Sequence, residues 1–215
     1  MSSVSALLRD LESSFGTTTM NERAVTLSRL TDLFLVTAKG LTEEQIGVFD
    51  VVIGRIASAI EIKARAELSN RLADVGNAPQ GVVRQLACDE IEVAKPVLSR
   101  SVRLTDDDLV AIAAARGRDH MLAMTARPHL SEPVTDFLVL RGDRVVTHAV
   151  VSNPAAKFSK RGMSLLVTRA TRDESLHGLL GERGDVPEEL MSQLLAVAKD
   201  AARQRLAEAL PAGEF

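Results

Sequence analysis

Apolar positions recur along this chain at a nearly constant step, and each stands just before residues that favour the start of a helix. One series has steps of 26, 26, 28 and 28 residues: Ala78, Leu104, Leu130, Phe158 and Val186. A second series has steps of 26, 26, 27 and 28 residues: Leu72, Leu98, Met124, Val151 and Leu179. Two apolar series with the same step predict stacked copies of one supersecondary unit, because each copy must cover its apolar face with the next.

The step leaves room for two short helices and two turns in each copy. The sequence therefore predicts an all-α fold, a HEAT-like α-solenoid of two-helix repeats with a period of 26–28 residues. Each short helix spans about 15 Å and is too short to be stable alone, so packing between copies must stabilise it. We expect a single domain over 1–215 with four segments: N-terminal helices (1–40), a longer helical pair (41–77), short repeats (78–186), and a C-terminal capping helix with its tail (187–215).

Residues that cap helices mark the expected boundaries. Thr42 and Gln45 have the spacing of a capping box, in which each side chain bonds a free backbone donor of the other residue. Asn21 is expected to cap the start of the helix that precedes this capping box. Asp119 and Asp143 are expected to cap helices inside the repeats.

Glycine and proline add further expectations about the backbone. Gly40, Gly117 and Gly142 are predicted to take the left-handed conformation that often ends a helix. Pro96 falls inside a predicted helix and should kink it. A first short helix is expected over Ser5–Phe15, which places its leucines on one face.

Composition excludes several classes of protein. The chain contains no Trp and no Tyr, which removes the usual anchors of strong interfaces and the usual platforms for stacking bases. It shows neither a secretory signal nor an apolar run long enough to cross a bilayer, and its one cysteine fits a reducing compartment, so a cytoplasmic protein is expected. The net charge of −3 is uneven, since residues 100–183 hold 13 basic and 10 acidic residues.

Several short stretches together resemble one known bacterial family. They are Leu72-Ala73, the run from Asp89 to Leu98, the run from Leu104 to Val110, the run from Arg127 to Ser131, and the run from Ser152 to Ala155. The most specific of them reads Asp-Glu-Ile-Glu-Val-Ala-Lys-Pro, and the likeness covers roughly residues 20–185 of what is catalogued as domain of unknown function 2336. The resemblance implies an all-helical repeat fold and brings no activity, cofactor or catalytic residue. Members of that family often continue into further helical sequence, so this chain is either a short member or part of a protein that extends beyond Phe215.

Candidate catalytic and metal-binding residues have simpler structural explanations. Cys88 has no histidine beside it in sequence and is expected to be a small apolar filler. The acidic run 106–108 suits the first turn of a helix, where negative charge favours the free backbone donors. The four histidines show no metal-ligand spacing, although His120 and His148 occupy near-equivalent places in successive repeats and raise the hypothesis of a pH-sensing row. We predict no catalytic residue, no cofactor and no metal.

Arginines beside the predicted turns are the candidate binding residues. The predicted partner-binding edge consists of Arg100, Arg127, Arg141 and Arg144. Such an edge would suit an acidic peptide or protein patch. The sequence therefore predicts a non-catalytic scaffold or adaptor for protein–protein interaction.

Two other function classes and one assembly stay open at this point. A nucleic-acid-binding repeat protein would use the same arginines, although the sequence pI near 5.9 disfavours it. An enzyme of unrecognised type would need Cys88, a histidine and an acid to converge. A homodimer through Glu188–Leu210 is compatible with each of these functions.

Overall fold

A computed structural model describes residues 19–196 of the chain, and within that range the fold is all-α. The elements are α1 (Met20–Thr37), a 3₁₀ turn (Ala38–Gly40), α2 (Glu43–Ala57), α3 (Ile62–Leu72), α4 (Gln80–Ala87), α5 (Ile91–Arg100), α6 (Asp106–Ala115), α7 (Arg118–Thr125), α8 (Glu132–Arg141), α9 (Arg144–Ser152), α10 (Lys160–Ala170), α11 (Glu174–Gly181) and α12 (188–196). One isolated parallel β-bridge joins Leu130 to Ala156.

Helix starts follow the predicted step. The helices α4, α6, α8, α10 and α12 begin at residues 80, 106, 132, 160 and 188, which confirms the steps of 26, 26, 28 and 28. Local chemistry explains these starts. Thr105 accepts the backbone N–H of Asp108 in a capping box, and Ser159 accepts the backbone N–H of Gly162.

The second apolar series lies at the ends of the alternate helices. Leu72, Leu98, Met124 and Val151 are buried at or near the last residues of α3, α5, α7 and α9, and Leu179 is half-buried in α11. Four of the five positions are thus buried, as the series predicts. Their burial supplies the hydrophobic free energy that helices of this length need from their neighbours.

The chain is divided into two compact units, Met1–Pro128 and His129–Phe215, and each is described by itself. In the first unit α3 packs on α5 and α5 on α7, while α2 packs on α4. Consecutive helices also pair, α4 with α5 and α6 with α7. The expected single domain with four segments stays a prediction.

The second unit repeats this pattern with fewer helices. Here α8 packs on α10 and α9 packs on α11, and the consecutive pairs α8–α9 and α10–α11 are also in contact. Alternate helices therefore form rows in both units, because each short helix covers its apolar face with the equivalent helix of the next pair.

Arginine side chains link one helical pair to the next in both units: Arg127, which is buried, and Arg183, which is half-buried. The terminal nitrogens of Arg127 donate to the carbonyls of Leu98 and Ser101, each at 2.7 Å. In the second unit Arg183 donates to the carbonyl of Val151 at 2.9 Å, and its guanidinium lies 4.8 Å from the centre of the Phe158 ring. These side chains satisfy carbonyls at helix C-termini that have no partner within the helix.

Some expected caps are confirmed and others are wrong. The Thr42–Gln45 capping box is present, and Asp143 accepts the backbone N–H of Val146. Asn21 is not a cap, because α1 begins one residue earlier and Thr19 caps it together with Glu22.

Asp119 is likewise not a cap, because α7 begins at Arg118 and Gly117 occupies the N-cap position. The prediction of left-handed glycines is also wrong for the described residues. Gly117 and Gly142 have φ of −99° and −70°, and Gly40 does not lie in the positive-φ region either. Pro96 does lie inside a helix, α5, as predicted.

Two predictions fall on the ends of the chain. The helix expected over Ser5–Phe15 lies outside the described residues, as does the part of Glu188–Leu210 beyond residue 196. Among the helices of residues 19–196, none combines the length and the apolar character needed to span a bilayer.

Candidate partner-binding groove

The four arginines of the predicted edge fall in different environments. Arg100 and Arg127 belong to the first unit, whereas Arg141 and Arg144 belong to the second. Arg100 is exposed at the end of α5, and its Nε donates to Asp74 at 3.1 Å. Arg141 is exposed at the end of α8, immediately before the turn that leads into α9.

Arg127 does not lie on an exposed edge, which corrects the prediction for this residue. Only 8% of its surface is exposed, and burial lowers the pKa of its guanidinium. Its terminal nitrogens are committed to the backbone carbonyls of Leu98 and Ser101. The residue is therefore part of the fold rather than of a binding surface.

The second unit contains a groove of about 550 Å³ at the turn between α8 and α9. Three elements form it: the start of α9, the end of α10 and the start of α11. We call it the arginine groove; its lining residues are Gly142, Asp143, Arg144, Thr147, Thr168, Arg169, Thr171, Arg172, Asp173 and Leu176. Three arginines and two aspartates give the lining an excess of one positive charge.

An ion pair crosses one side of the arginine groove. Arg144 donates through Nε and a terminal nitrogen to the two carboxylate oxygens of Asp173, at 2.7 and 3.0 Å. His148 Nε2 donates to the same carboxylate at 2.7 Å, and the backbone N–H of Leu176 donates to it at the start of α11. These donors, Arg144 first, hold the pKa of Asp173 well below its usual range.

Two further arginines of the groove were not singled out by the sequence. Arg169 is half-buried near the end of α10, and one of its terminal nitrogens donates to the hydroxyl of Thr147 at 3.1 Å. Arg172 is exposed, and its guanidinium has no hydrogen-bond or ion-pair partner among residues 19–196. A signal for both existed, because each stands one step of 28 residues after Arg141 or Arg144.

Apolar side chains flank this cationic turn. Leu140 is 56% exposed at the end of α8, and Val145 is 47% exposed in the first turn of α9. Both stand within a few residues of Arg141 and Arg144. A surface that mixes exposed apolar groups with arginine is typical of protein-binding surfaces rather than of purely solvated ones.

Cys88 and His120 lie elsewhere, in the first unit. Cys88 is half-buried at the C-cap of α4 and lines no part of the arginine groove. His120 donates its Nε2–H to the backbone carbonyl of Asp89 at 2.9 Å, so that nitrogen is not a free base. The carboxylate of Asp89 is paired with Arg65, whose guanidinium lowers the pKa of that acid.

Metal-binding geometry is not found in the described part of the chain. Within residues 19–196 no three His, Cys, Asp or Glu side chains form a cluster that could hold a metal ion. Of the acidic run 106–108, Asp108 serves the capping box of α6 and pairs with Arg84 at 2.8 Å. Asp106 and Asp107 stand with it in the first turn of α6, as the sequence predicts.

Asp173→Asn is expected to lower the free energy of unfolding by about 1 kcal/mol at neutral pH, since the pair it breaks is partly exposed. Because the pKa of Asp173 is lowered in the folded protein, its stabilising effect is complete above the unfolded pKa of about 3.9 and disappears as pH falls through the folded pKa. Urea unfolding should therefore show a constant difference in the free energy of unfolding between wild type and Asp173→Asn above about pH 5. This difference should shrink towards about pH 2.

The control for this prediction is Glu189→Gln. Glu189 is exposed in the first turn of α12 and has no ion pair within residues 19–196. This variant should follow the wild type across the whole acid range. A difference between wild type and Asp173→Asn that stays the same from neutral to strongly acid pH would contradict the assignment of the ion pair.

Comparison with known proteins supports the family resemblance, over a different range from the expected 20–185, and adds no activity. The model of a family described as an uncharacterised protein conserved in bacteria, DUF2336, matches residues 93–214. That range includes the whole arginine groove and part of the first unit. Neither the curated proteins nor the solved structures give a match.

Proposed function

This chain belongs to the bacterial family DUF2336, and from that premise we propose that it is a non-catalytic adaptor whose arginine groove binds an acidic segment of a partner protein. The family assigns no chemistry, so the proposal depends on the groove itself. The arginine groove is the single observation that carries it: an open concave surface lined by three arginines, with exposed apolar residues close to Arg144 along the chain.

We further propose that the helical pairs form a HEAT-like α-solenoid. The constant step of the helix starts supports this assignment, as do the rows of alternate helices within each unit. The arginines that bond carbonyls of the preceding pair give the rows a recurring polar link as well as apolar contact. A solenoid exposes a large surface relative to its core, which suits a binding protein.

The charge of the lining selects the occupant. Two of the three arginines, Arg144 and Arg172, are exposed, and Arg144 is 68% exposed in its side chain even while paired with Asp173. Acidic side chains of a bound segment would complement the excess positive charge, and an apolar side chain beside them would cover Leu140 or Val145. The partner segment is therefore expected to contain both acidic and apolar residues.

Fluorescence anisotropy with a short labelled peptide of alternating Glu and Leu tests the proposal. We expect the full chain to bind it at low salt and to lose affinity as salt is raised. Arg172→Glu should weaken binding about tenfold or more, because it reverses a charge that has no partner among the described residues. Thermal stability should not change, since the side chain is exposed.

Arg161→Glu is the matched control. Arg161 is exposed in the first turn of the same helix, α10, and does not line the arginine groove. The same charge reversal there should change binding less than about twofold. Equal losses in the two variants, or binding of a Lys and Leu peptide as tight as that of the Glu and Leu peptide, would rule the groove out as the binding surface.

A further inference from the structure

We infer that the arginine groove recognises a phosphorylated side chain in the partner segment in preference to a carboxylate. This inference rests on the proposed function, and it concerns the chemical group that the groove prefers. It follows from a count of the hydrogen-bond donors that line the groove and of the negative charges already present in it.

One arginine of the groove is already occupied by a carboxylate of the same chain. Asp173 takes two nitrogens of Arg144 in a bidentate pair and is itself fixed at the start of α11. A carboxylate from a partner would gain little by replacing an identical group that is tethered in place. Arg144 therefore contributes charge to the groove rather than a free pair of donors.

Apart from the second terminal nitrogen of Arg144, the donors that remain belong to the other two arginines. The whole guanidinium of Arg172 is without a partner among residues 19–196. Arg169 uses one terminal nitrogen on Thr147, so its Nε and its second terminal nitrogen are unpaired with respect to the same residues. The hydroxyls of Thr168 and Thr171 donate to backbone carbonyls at 2.8 Å, which leaves the two guanidiniums as the main donors.

Two guanidiniums match a phosphate better than a carboxylate. A phosphorylated side chain carries a charge of about −1.5 to −2 at pH 7 and three terminal oxygens, whereas a carboxylate has one charge and two oxygens. The fork of Arg172 would engage both oxygen atoms of a carboxylate, whereas a phosphate has a third terminal oxygen that can face Arg169. Its larger charge increases the attraction to the three arginines and the repulsion from Asp143 and Asp173 alike, and the excess of one positive charge in the lining keeps the balance attractive.

Titration of the full chain with three labelled peptides of one sequence tests this inference. The peptides differ at a single central position, which is phosphoserine, glutamate or glutamine. We expect the phosphoserine peptide to bind at least about tenfold more tightly than the glutamate peptide, and the glutamine peptide to bind most weakly. Unlabelled inorganic phosphate should compete weakly, since it lacks the contacts of the flanking residues.

Substitutions at Arg169 and Arg172 distinguish the contributions of these two arginines to peptide binding. Arg169→Gln keeps an amide that can still reach Thr147 but removes the charge, so it should weaken binding of the phosphoserine peptide more than that of the glutamate peptide. The preference for phosphoserine over glutamate should fall below about threefold. Arg172→Gln should weaken both peptides, and Arg161→Gln neither. Thermal unfolding of each variant would show that the fold is retained.

The outcomes distinguish this inference from the adaptor proposal. Equal affinity for the phosphoserine and glutamate peptides would overturn the phosphate preference and leave the adaptor proposal standing. Binding of neither peptide at low salt would overturn both. Competition by a single-stranded oligonucleotide as strong as that of unlabelled phosphoserine peptide would also overturn the inference, because it would show that phosphodiester monoanions suffice.

Discussion

Replacement of Arg127 by Leu is expected to lower the free energy of unfolding of the first unit by about 3 kcal/mol. The side chain is 8% exposed, and its two terminal nitrogens each donate at 2.7 Å to a carbonyl, one of Leu98 and one of Ser101. Leucine would leave both carbonyls without a donor in a place that water does not reach easily, which costs about 1–3 kcal/mol for each group. Urea unfolding followed by circular dichroism would measure the loss.

Arg100→Leu is the comparison for Arg127→Leu within the same unit. Arg100 is exposed and pairs with Asp74, which is itself largely exposed, so its removal should cost less than about 1 kcal/mol. Arg127→Lys should recover only part of the stability, because an ammonium group lacks the rigid fork that reaches two carbonyls at once. A loss in Arg127→Leu no larger than that in Arg100→Leu would show that the buried arginine does not stabilise the first unit.

The repeat step was predictable because it depends on residues close together in the sequence. A threonine or serine cap fixes where a helix begins within one or two residues, as Thr105 and Ser159 do, and the structure starts α6 and α10 there. Apolar residues one step apart, such as Leu72 and Leu98, have to be buried wherever equivalent helices pack. Neither signal depends on knowing how distant parts of the chain meet.

The role of Arg127 was not predictable by the same means. In sequence it resembles the other arginines near turns, and only tertiary contacts distinguish it from the exposed Arg141. One signal was available: Arg127 stands three residues after the buried Met124, and Arg183 stands four residues after Leu179 of the same series. An arginine just past either of these two apolar positions lies close to the carbonyls at the end of the neighbouring helix. Both arginines donate hydrogen bonds to such carbonyls.

The candidate site was predicted in part. Arg144 does line the arginine groove, and the exposed Arg141 precedes it at the same turn. Extension of the step by another 28 residues would have added Arg169 and Arg172. Position along the chain cannot show, however, that Asp173 already occupies Arg144, because that pairing depends on how α9 packs against α11.

Glycine positions show a different limit of sequence reasoning. The pattern correctly marks Gly117 and Gly142 as turn residues, but it assigns the wrong physical cause. Both have negative φ, so neither needs glycine for its backbone conformation. What differs between them is the space around the missing Cβ, which only packing determines.

Gly142→Ala is expected to destabilise the second unit by about 2–3 kcal/mol. An alanine Cβ at this position would lie 2.6 Å from a methyl carbon of Val146 and 2.8 Å from its Cβ, and it would also press against the backbone carbonyl of Leu138. Val146 is buried and Leu138 is part of α8, so neither can move away without disturbing the core. Urea unfolding of the full chain, with hydrogen exchange to assign the change to 129–196, would measure the effect.

Gly117→Ala is the matched control, since it changes the equivalent glycine of the preceding helical pair. No atom lies within 4 Å of the position that its Cβ would occupy, and its φ of −99° is open to alanine. This variant should be neutral or stabilising by up to about 1 kcal/mol, because alanine restricts the unfolded chain more than glycine does. Equal losses of stability in Gly142→Ala and Gly117→Ala would show that close packing at the α8–α9 turn is not the reason for glycine at position 142. A backbone requirement shared by both turns would then be the explanation.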